Sequence, residues 1–298
     1  MDFKQIEAFV NVVRYKSFSK AADASFFTQP TISTHIHNLE KELGVKLLDR
    51  KSRSVEMTPQ GAKFYKYAIE MINARAQAVD AIRDTSENIE GILEIQTSSI
   101  PGVTFVPELL SKFREDHPEV QYYLSLSDTQ SVIDNLIDRR GEIGFVGDKV
   151  NSHSVECVKV ASDKSVLVSP ESYGVGSEIK LSDTFDYPFI WRETGSATRK
   201  SFEKAAGKHG FSKEDMQIAA SVNDLDSLLR SVESGLGVSV ISEKVATLLG
   251  SNVKVSEISD FDDERDFYMI YMKSSSLSPS ALAFTDFVRN WAKAAETR

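Results

Sequence analysis

A chain of 298 residues is long enough for two or three domains that each bury a core, and its 41% apolar and 27% charged residues are ordinary for a globular protein. It contains no run of about 18 apolar residues, so no membrane span is expected, and the N-terminus lacks the features of a secretory signal. The single cysteine, Cys157, excludes an internal disulfide, and we interpret it as core packing rather than a redox sensor. The expected compartment is the cytoplasm.

The net charge of −9 is unevenly distributed along the chain. Residues 1–66 carry 11 Lys and Arg against 7 Asp and Glu, whereas the other 232 residues carry 24 against 37. A small basic segment on an acidic body can bind phosphate locally while the body is repelled from nucleic acid. This distribution permits nucleic-acid binding but does not demonstrate it, because many solvated surfaces look similar.

The first 44 residues predict three helices. Asp2 is the expected N-cap of the first, Ser17 of a short second helix, and Thr28 or the residue after it of the third, which has Pro30 in its first turn. Gly44 should end the third helix. Two short helices joined by a tight turn, after a helix of matching apolar face, are the parts of a helix-turn-helix. A three-helix bundle without a ligand has the same pattern.

The solvent face of the third predicted helix is polar but carries few charges. Short or planar hydrogen-bonding groups suit base edges and phosphates in a major groove, whereas an inert solvated helix more often carries Glu and Lys. This face therefore favours DNA binding. Its members are Gln29, Thr31, Ser33, Thr34, His35, His37 and Asn38.

A two-stranded wing is predicted after the third helix, in the segment VKLLDRKSRSVEM. Its tip carries Arg50, Lys51 and Arg53, and these cations suit phosphate or minor-groove contact. An exposed hairpin that uses charge only for solubility remains an alternative.

Thr58 and Pro59 predict the start of a long helix, because a capping hydroxyl precedes a proline at the first helical position. The pattern continues to about Asn88, which gives roughly 30 residues and a length of about 45 Å. Such a helix is too long to pack wholly on the small head, so we expect it to pair with a second chain; a merely buried long helix is the alternative. Gly91 is expected to end it.

The rest of the chain alternates strands and helices, which predicts an α/β fold with mainly parallel pairing. The segments VECVKVA and SVLVSP are predicted as separate strands, and the two halves suggest two similar lobes. The predicted division is a head over 1–58, a linker and dimerisation helix over 59–90, and a third domain over 91–298. Within the last, lobe I covers about 91–161 and 268–298, and lobe II about 162–267.

The chain resembles the LysR-type transcriptional regulator family along nearly its whole length, most specifically in FKQIEAFVNVVRYKSFSKAADASFFTQPTISTHIHNLEKELGVKLLDRKSRSVEMTPQG. The pairs Gln29-Pro30, Leu39-Glu40 and Leu43-Gly44, together with Thr58-Pro59-Gln60-Gly61, stand in the family's order and spacing. The later part matches less sharply, for example through VESGLGVSVI. The family often has arginine at the position of Thr34.

The resemblance implies an all-α-type winged helix-turn-helix, a long linker helix, and a two-lobed, periplasmic-binding-protein-like effector domain. In such proteins the third helix reads the major groove of promoter or operator DNA and the wing reads the flanks. Carried over by position, the DNA-contacting residues are Gln29, Pro30, Thr31, Ser33 and Thr34 in the helix and Arg50, Lys51 and Arg53 in the wing. Because Thr34 replaces the family's arginine, the head would rely more on the wing and on DNA shape. The resemblance also implies a homodimer or homotetramer, with RNA polymerase as a further partner.

Polar residues at the predicted ends of strands form a candidate effector site. Hydroxyls beside helix N-termini favour an anion, and the crevice beyond strand carboxyl ends is the usual place for a ligand. We expect a small anionic metabolite or oxyanion and no cofactor; the alternative is that the hydroxyls only cap their helices. The candidate residues are Thr97, Ser98, Ser99, Thr129, Glu193, Ser196 and Thr198.

Two other classes of protein, enzymes and solute-binding transport proteins, also use lobed α/β domains. An enzyme is disfavoured because the sequence contains no GxGxxG, GxxxxGK[ST], HExxH or GxSxG motif, and its five histidines are scattered. A solute-binding transport protein would share the lobed body but would need a signal sequence and would have no use for residues 1–60.

Overall fold

The computed structural model describes residues 1–49, 55–82, 89–194, 196–250, 252–261 and 264–296. Its head consists of three helices and a pair of very short antiparallel strands. These are α1 (Phe3–Tyr15), α2 (Phe18–Ala24), α3 (Gln29–Leu43), β1 (Leu48–Asp49) and β2 (Glu56–Met57).

The predicted helix caps of the head are confirmed. Asp2 and Gln5 form a reciprocal capping box at α1, and Ser17 accepts from the backbone of Lys20 at α2. Thr28 is the N-cap of α3, which settles the choice left open by the sequence. Gly44 ends α3 with φ +71°, a conformation that glycine adopts without steric cost.

Glu40 joins the end of α3 to the wing. It is 3% exposed, and its carboxylate accepts from the backbone N–H groups of Leu47 and Leu48 at 2.9 and 3.3 Å and from Lys46 Nζ at 2.6 Å. Burial tends to raise the pKa of Glu40, but the Lys46 and backbone donors outweigh it and hold the pKa below its ordinary value. The carboxylate therefore stays charged and fixes where the wing begins.

The long helix α4 runs over Pro59–Ile82, and its 24 residues span about 36 Å. The predicted continuation over 83–88 lies outside the described residues. The prediction that Gly91 ends this helix was wrong, because Gly91 is the first residue of strand β3 (Gly91–Ser98) and has φ +113°.

The larger domain contains two lobes and two strands that run through both. Lobe I contains β3, α5 (Ser99–Val103), α6 (Val106–Asp116), β4 (Val120–Ser127), α7 (Thr129–Ile137), β5 (Ile143–Val146) and α12 (Pro279–Glu296). Lobe II contains β7 (Glu178–Ile179), α8 (Leu181–Thr184), β8 (Phe189–Arg192), α9 (Ala197–Lys208), β9 (Ile218–Val222), α10 (Leu225–Glu233), β10 (Ser239–Ser242), α11 (Glu243–Ala246) and β11 (Val253–Ile258). The crossing strands are β6 (Val155–Pro170) and β12 (Glu264–Met272).

The expectation of mainly parallel pairing was wrong, because the sheet is mixed. Strand β3 pairs in parallel with β4 and β5, and β8 pairs in parallel with β9. The crossing strands pair antiparallel with each other, and β10 and β11 pair antiparallel with β6. The two strands predicted at 155–161 and 165–170 are a single strand of 16 residues. The predicted lobe boundaries near 162 and 267 fall within these crossing strands.

The head and α4 contact lobe I of the same chain through polar groups. Arg14 on α1 lies 2.6 Å from Glu94 on β3, and Arg139 contacts Glu70 on α4 at 2.8 Å. Asn73 on α4 donates to Glu142 at 3.0 Å. Burial tends to lower the pKa of Arg14, but the Glu94 carboxylate outweighs it and the net shift is upward. An interface built on charges can hydrate when it opens, so this docking of the head is weaker than an apolar core.

We expect Glu94→Gln to weaken this docking by about 2 kcal/mol, because it leaves the Arg14 guanidinium without its anionic partner in a mostly buried position. Faster hydrogen exchange of backbone amides in α1 and β3 is the measurement. Glu108→Gln is the matched control, since it breaks an exposed pair with Lys112 and should change little. Equal exchange in both variants would mean that the Arg14 contact contributes nothing to docking.

Candidate functional sites

The predicted DNA-contacting residues of α3 lie together on its exposed side. Gln29, Pro30, Thr34 and His37 are exposed, and Thr31, Ser33 and His35 are half-buried. The turn before α3 holds Phe26, which is 98% exposed and has φ +54°, an unusual backbone conformation for a bulky residue. An apolar residue between two helices is normally predicted to be buried, so the sequence did not indicate that the Phe26 ring is exposed.

Several of these side chains make hydrogen bonds within the head. Thr34 Oγ1 donates to the carbonyl oxygen of Pro30 at 2.9 Å, and Thr31 Oγ1 lies 2.8 Å from Thr28 Oγ1. Ser19 on α2 donates to Gln29 Oε1 at 3.1 Å, which holds the glutamine side chain at the start of α3. With its proton directed into the helix, Thr34 offers a methyl group and acceptor lone pairs, which suit a thymine methyl or an exocyclic amine of a base.

The two strands of the predicted wing pair antiparallel, with Leu48 opposite Met57 and Asp49 opposite Glu56, but the first strand begins at Leu48 and not at Val45. The three predicted wing cations, Arg50, Lys51 and Arg53, lie outside the described residues.

A cleft between the lobes brings together six of the seven predicted effector residues. They are Ser98, Ser99, Thr129, Glu193, Ser196 and Thr198. The cleft has a volume of about 20 Å³ and lies where β3 and β8 end and where α5, α7 and α9 begin. Thr97 is fully buried behind this lining, and its hydroxyl donates to the carbonyl oxygen of Ser98 at 3.0 Å.

The hydroxyls differ in whether they cap a helix. Ser196 caps α9 by accepting from the backbone N–H of Arg199 at 3.4 Å, so its capping role accounts for it. Ser98 is the N-cap residue of α5, but its side chain makes no capping hydrogen bond. Thr198 Oγ1 accepts from Arg265 Nη1 at 2.6 Å. Capping alone therefore explains Ser196 but not Ser98 or Thr198.

Sequence reasoning missed two buried arginines in the cleft, Arg192 and Arg265, each 7% exposed. Arg192 forms a fork with the carboxylate of Glu193, with Nε and Nη2 donating at 2.8 and 2.9 Å. Arg265 stacks over the ring of Phe267, 5.6 Å from its centre. Each arginine lies next to the apolar residues of a strand. A charged residue is rarely buried in such a position without a partner, and this is the signal that could have identified both arginines.

Carboxylates accompany both arginines and the start of α7. Asp163 on β6 lies 3.9 Å from Arg265 Nη2 and accepts from the hydroxyl of Ser242. Asp128 caps α7 by accepting from the backbone N–H and hydroxyl of Ser131 at 3.0 and 2.6 Å. Burial tends to raise the pKa of Asp128, but these Ser131 donors outweigh it and the net shift is downward. Nearby carboxylates therefore neutralise part of the positive charge that the two arginines bring to the cleft.

The described part of the chain contains neither a cluster of metal-ligating residues nor a membrane-spanning helix. Within it, no three residues among His, Cys, Asp and Glu are grouped so that they could hold a metal ion. None of its helices combines the length and apolar character needed to cross a membrane. Cys157 is half-buried, and its thiol lies 3.5 Å from the carbonyl oxygen of Val150, which agrees with a packing role.

Comparison with known families accounts for both parts of the chain. Residues 3–62 match the model described as bacterial regulatory helix-turn-helix protein, lysR family, and residues 86–293 match the LysR substrate binding domain.

Known proteins resemble the chain over nearly its full length. An HTH-type transcriptional regulator of Methanocaldococcus jannaschii is 30% identical over 95% of this chain and 96% of its own. The transcriptional activator CmpR of Synechocystis is 27% identical over 95% and 93%. Among solved structures, a full-length OxyR variant from Pseudomonas aeruginosa has a TM-score of 0.75 at 19% identity, covering 98% of this chain and 99% of its own. Full-length CbnR in complex with its target DNA has a TM-score of 0.67 at 22% identity, covering 98% and 100%.

Proposed function

We propose that a small anionic effector, bound between the two lobes, controls the output of this chain, which belongs to the LysR family of DNA-binding transcriptional regulators. The family is non-enzymatic, so the cleft serves binding and not turnover. The observation that carries the proposal is the convergence of Arg192 and Arg265 with the start of α9 on one small cleft.

An anion is favoured by the donors that meet in the cleft. Guanidinium groups donate in a planar fork that matches carboxylates and other oxyanions, and the N-terminus of a helix favours negative charge. The hydroxyls of Ser98 and Thr198 add neutral partners that can orient the ligand. We propose that the protein needs no resident cofactor.

We propose that the head reads promoter or operator DNA with the exposed side of α3, and that homodimers or homotetramers place several heads on one site. The polar face of α3 supports the first part. Exposed apolar residues on α4 support the second, since Tyr67 is 65% and Ile82 is 83% exposed. RNA polymerase is the proposed further partner on the promoter. We propose the cytoplasm as the compartment, because the DNA that the protein reads lies there.

The crossing strands offer a route from effector to head. Closure of the lobes bends β6 and β12, and lobe I in turn contacts the head through Arg14 and Glu94. We propose that effector binding thereby changes packing between subunits and the spacing of paired heads. The effector can shift this equilibrium only by binding one arrangement more tightly than the other.

Calorimetric titration of the full chain with a panel of sulfur, selenium and carboxylate compounds tests the anionic effector. We expect at least one anion of the panel to bind, with affinity that falls as salt rises, because salt screens the attraction to the guanidinium groups. Binding of only neutral or cationic compounds would contradict the proposal.

DNA footprinting across the protein's own promoter, with and without the binding anion, tests the mechanism. We expect the effector to change the extent of protection or the hypersensitive sites, because the heads are re-spaced. Identical footprints in both conditions would remove the basis for this mechanism.

A further inference from the structure

Arg192 and Glu193 form an ion pair between neighbouring residues at the mouth of the cleft. Side chains of consecutive strand residues point to opposite faces, so this pair forms only because β8 ends at Arg192 and the chain turns. The turn is held by two backbone hydrogen bonds: Glu193 N donates to Val222 at 3.1 Å, and Ser196 N donates to Glu193 at 3.1 Å. The fork between the two side chains uses both carboxylate oxygens.

This fork has the same chemistry as the recognition of a ligand carboxylate or oxyanion by arginine. The two partners differ in freedom, because the side chain of Arg192 is 8% exposed and that of Glu193 is 22% exposed. The Glu193 side chain is therefore the one that can rotate toward solvent and leave the Arg192 guanidinium free.

We propose that Glu193 is an internal competitor that sets the effector affinity of the cleft. Its carboxylate occupies the fork of Arg192, and an anionic effector binds by displacing it. This inference rests on the proposed anionic effector and changes the role expected of Glu193, from a ligand contact to a group that the ligand must replace.

Competition has two consequences. The apparent affinity equals the intrinsic affinity multiplied by the fraction of molecules in which the fork is free, so Glu193 shifts the response to higher effector concentrations. It also selects among ligands, because an anion with two oxygens in one plane can take both donor positions, whereas a spherical anion cannot. A carboxylate or tetrahedral oxyanion should therefore compete much better than a halide.

The carboxylate beside the second arginine cannot act in this way. The side chain of Asp163 is 1% exposed and accepts from the hydroxyl of Ser242 and from the backbone N–H of Lys164 at 2.9 Å. It is fixed on a crossing strand, whereas Glu193 lies in the turn after β8. The competitor role therefore belongs to Glu193.

The test compares Glu193→Gln with Glu203→Gln in the full chain. Glu203 is also paired with an arginine, since Arg199 Nε donates to it at 2.9 Å, but it does not line the cleft. Calorimetric titration with sodium sulfate, phosphate and acetate should show at least about tenfold tighter binding to Glu193→Gln than to the wild type, because a neutral amide competes poorly for a guanidinium. Glu203→Gln should bind like the wild type, and equal unfolding temperatures would show that both variants fold.

The outcomes separate the two proposals. If the wild type binds an anion and Glu193→Gln binds it equally or more weakly, the competitor role is overturned and the anionic effector stands. If no protein binds any of the three anions or any anion of the larger panel, the anionic effector fails, and the role of Glu193 fails with it. Chloride should bind all proteins weakly, and a gain for chloride equal to that for sulfate would overturn the selectivity argument.

Discussion

Combined replacement of Thr31, Ser33 and Thr34 by alanine should lower affinity for the promoter DNA by about 100-fold. Each hydroxyl that contacts a base edge or phosphate contributes about 1 kcal/mol, and three such losses amount to roughly 3 kcal/mol. All three residues lie outside the buried stripe of α3, and Thr34 has its proton directed to Pro30, so we expect it to offer DNA an acceptor and a methyl group. Electrophoretic mobility shift over a salt series is the measurement.

The control must separate loss of contact from loss of fold. A double replacement of exposed hydroxyls in lobe II, Ser182→Ala with Thr247→Ala, should leave DNA affinity unchanged, because lobe II is separate from the head that contains α3. The slope of affinity against salt should stay similar in the α3 variant, since hydroxyls release no counterions. Unchanged promoter affinity in a folded α3 variant would contradict the proposed DNA-binding surface.

Gly61→Ala should destabilise the head by about 3 kcal/mol. Gly61 lies in the first turn of α4, and a β-carbon there would overlap the backbone carbonyl of Leu47. That carbonyl cannot move easily, because its oxygen accepts from the backbone N–H of Thr58 at 3.0 Å and the next strand begins at Leu48. Overpacking against fixed backbone costs about 1–3 kcal/mol or more. Urea unfolding followed by circular dichroism measures the loss.

Gly207→Ala is the matched control for this prediction. Gly207 also lies in a helix, α9, but it is exposed and a β-carbon there would meet nothing within 4 Å. Alanine should therefore be neutral or stabilising by up to about 1 kcal/mol, through its better helix propensity. If Gly61→Ala were as stable as Gly207→Ala, the close approach of α4 to the wing would be wrong.

Much of the head follows from local sequence. Asp2, Ser17, Thr28 and Gly44 mark helix ends because capping depends on residues within three or four positions, and the structure confirms each of them. Apolar spacing also predicts a buried stripe on α3, in which Ile32, Ile36 and Leu39 are 0% exposed and the fourth residue, Leu43, is half-buried. Such features are decided by neighbours in the chain, so one sequence suffices to predict them.

The effector cleft was predictable only in part. Six of the seven hydroxyl and carboxylate residues predicted at strand ends meet in one cleft, but Arg192 and Arg265 were not anticipated. Arg265 lies 67 positions from its partner Thr198, and a contact of that separation has no local pattern. Thr97 is the one predicted residue that does not line the cleft, for the same reason. Only packing decides which of the three consecutive polar residues 97–99 face it.

By itself, then, the sequence determined the helix caps, the helix-turn-helix, the alternation of strands and helices, and the family. The mixed pairing of the sheet, the continuity of β6 over 16 residues, the docking of the head on lobe I and the charges of the cleft depend on tertiary structure. The division has one physical cause. Backbone caps and amphipathic faces are satisfied within a few residues, whereas pairing order and buried ion pairs depend on which distant segments the folded core brings into contact.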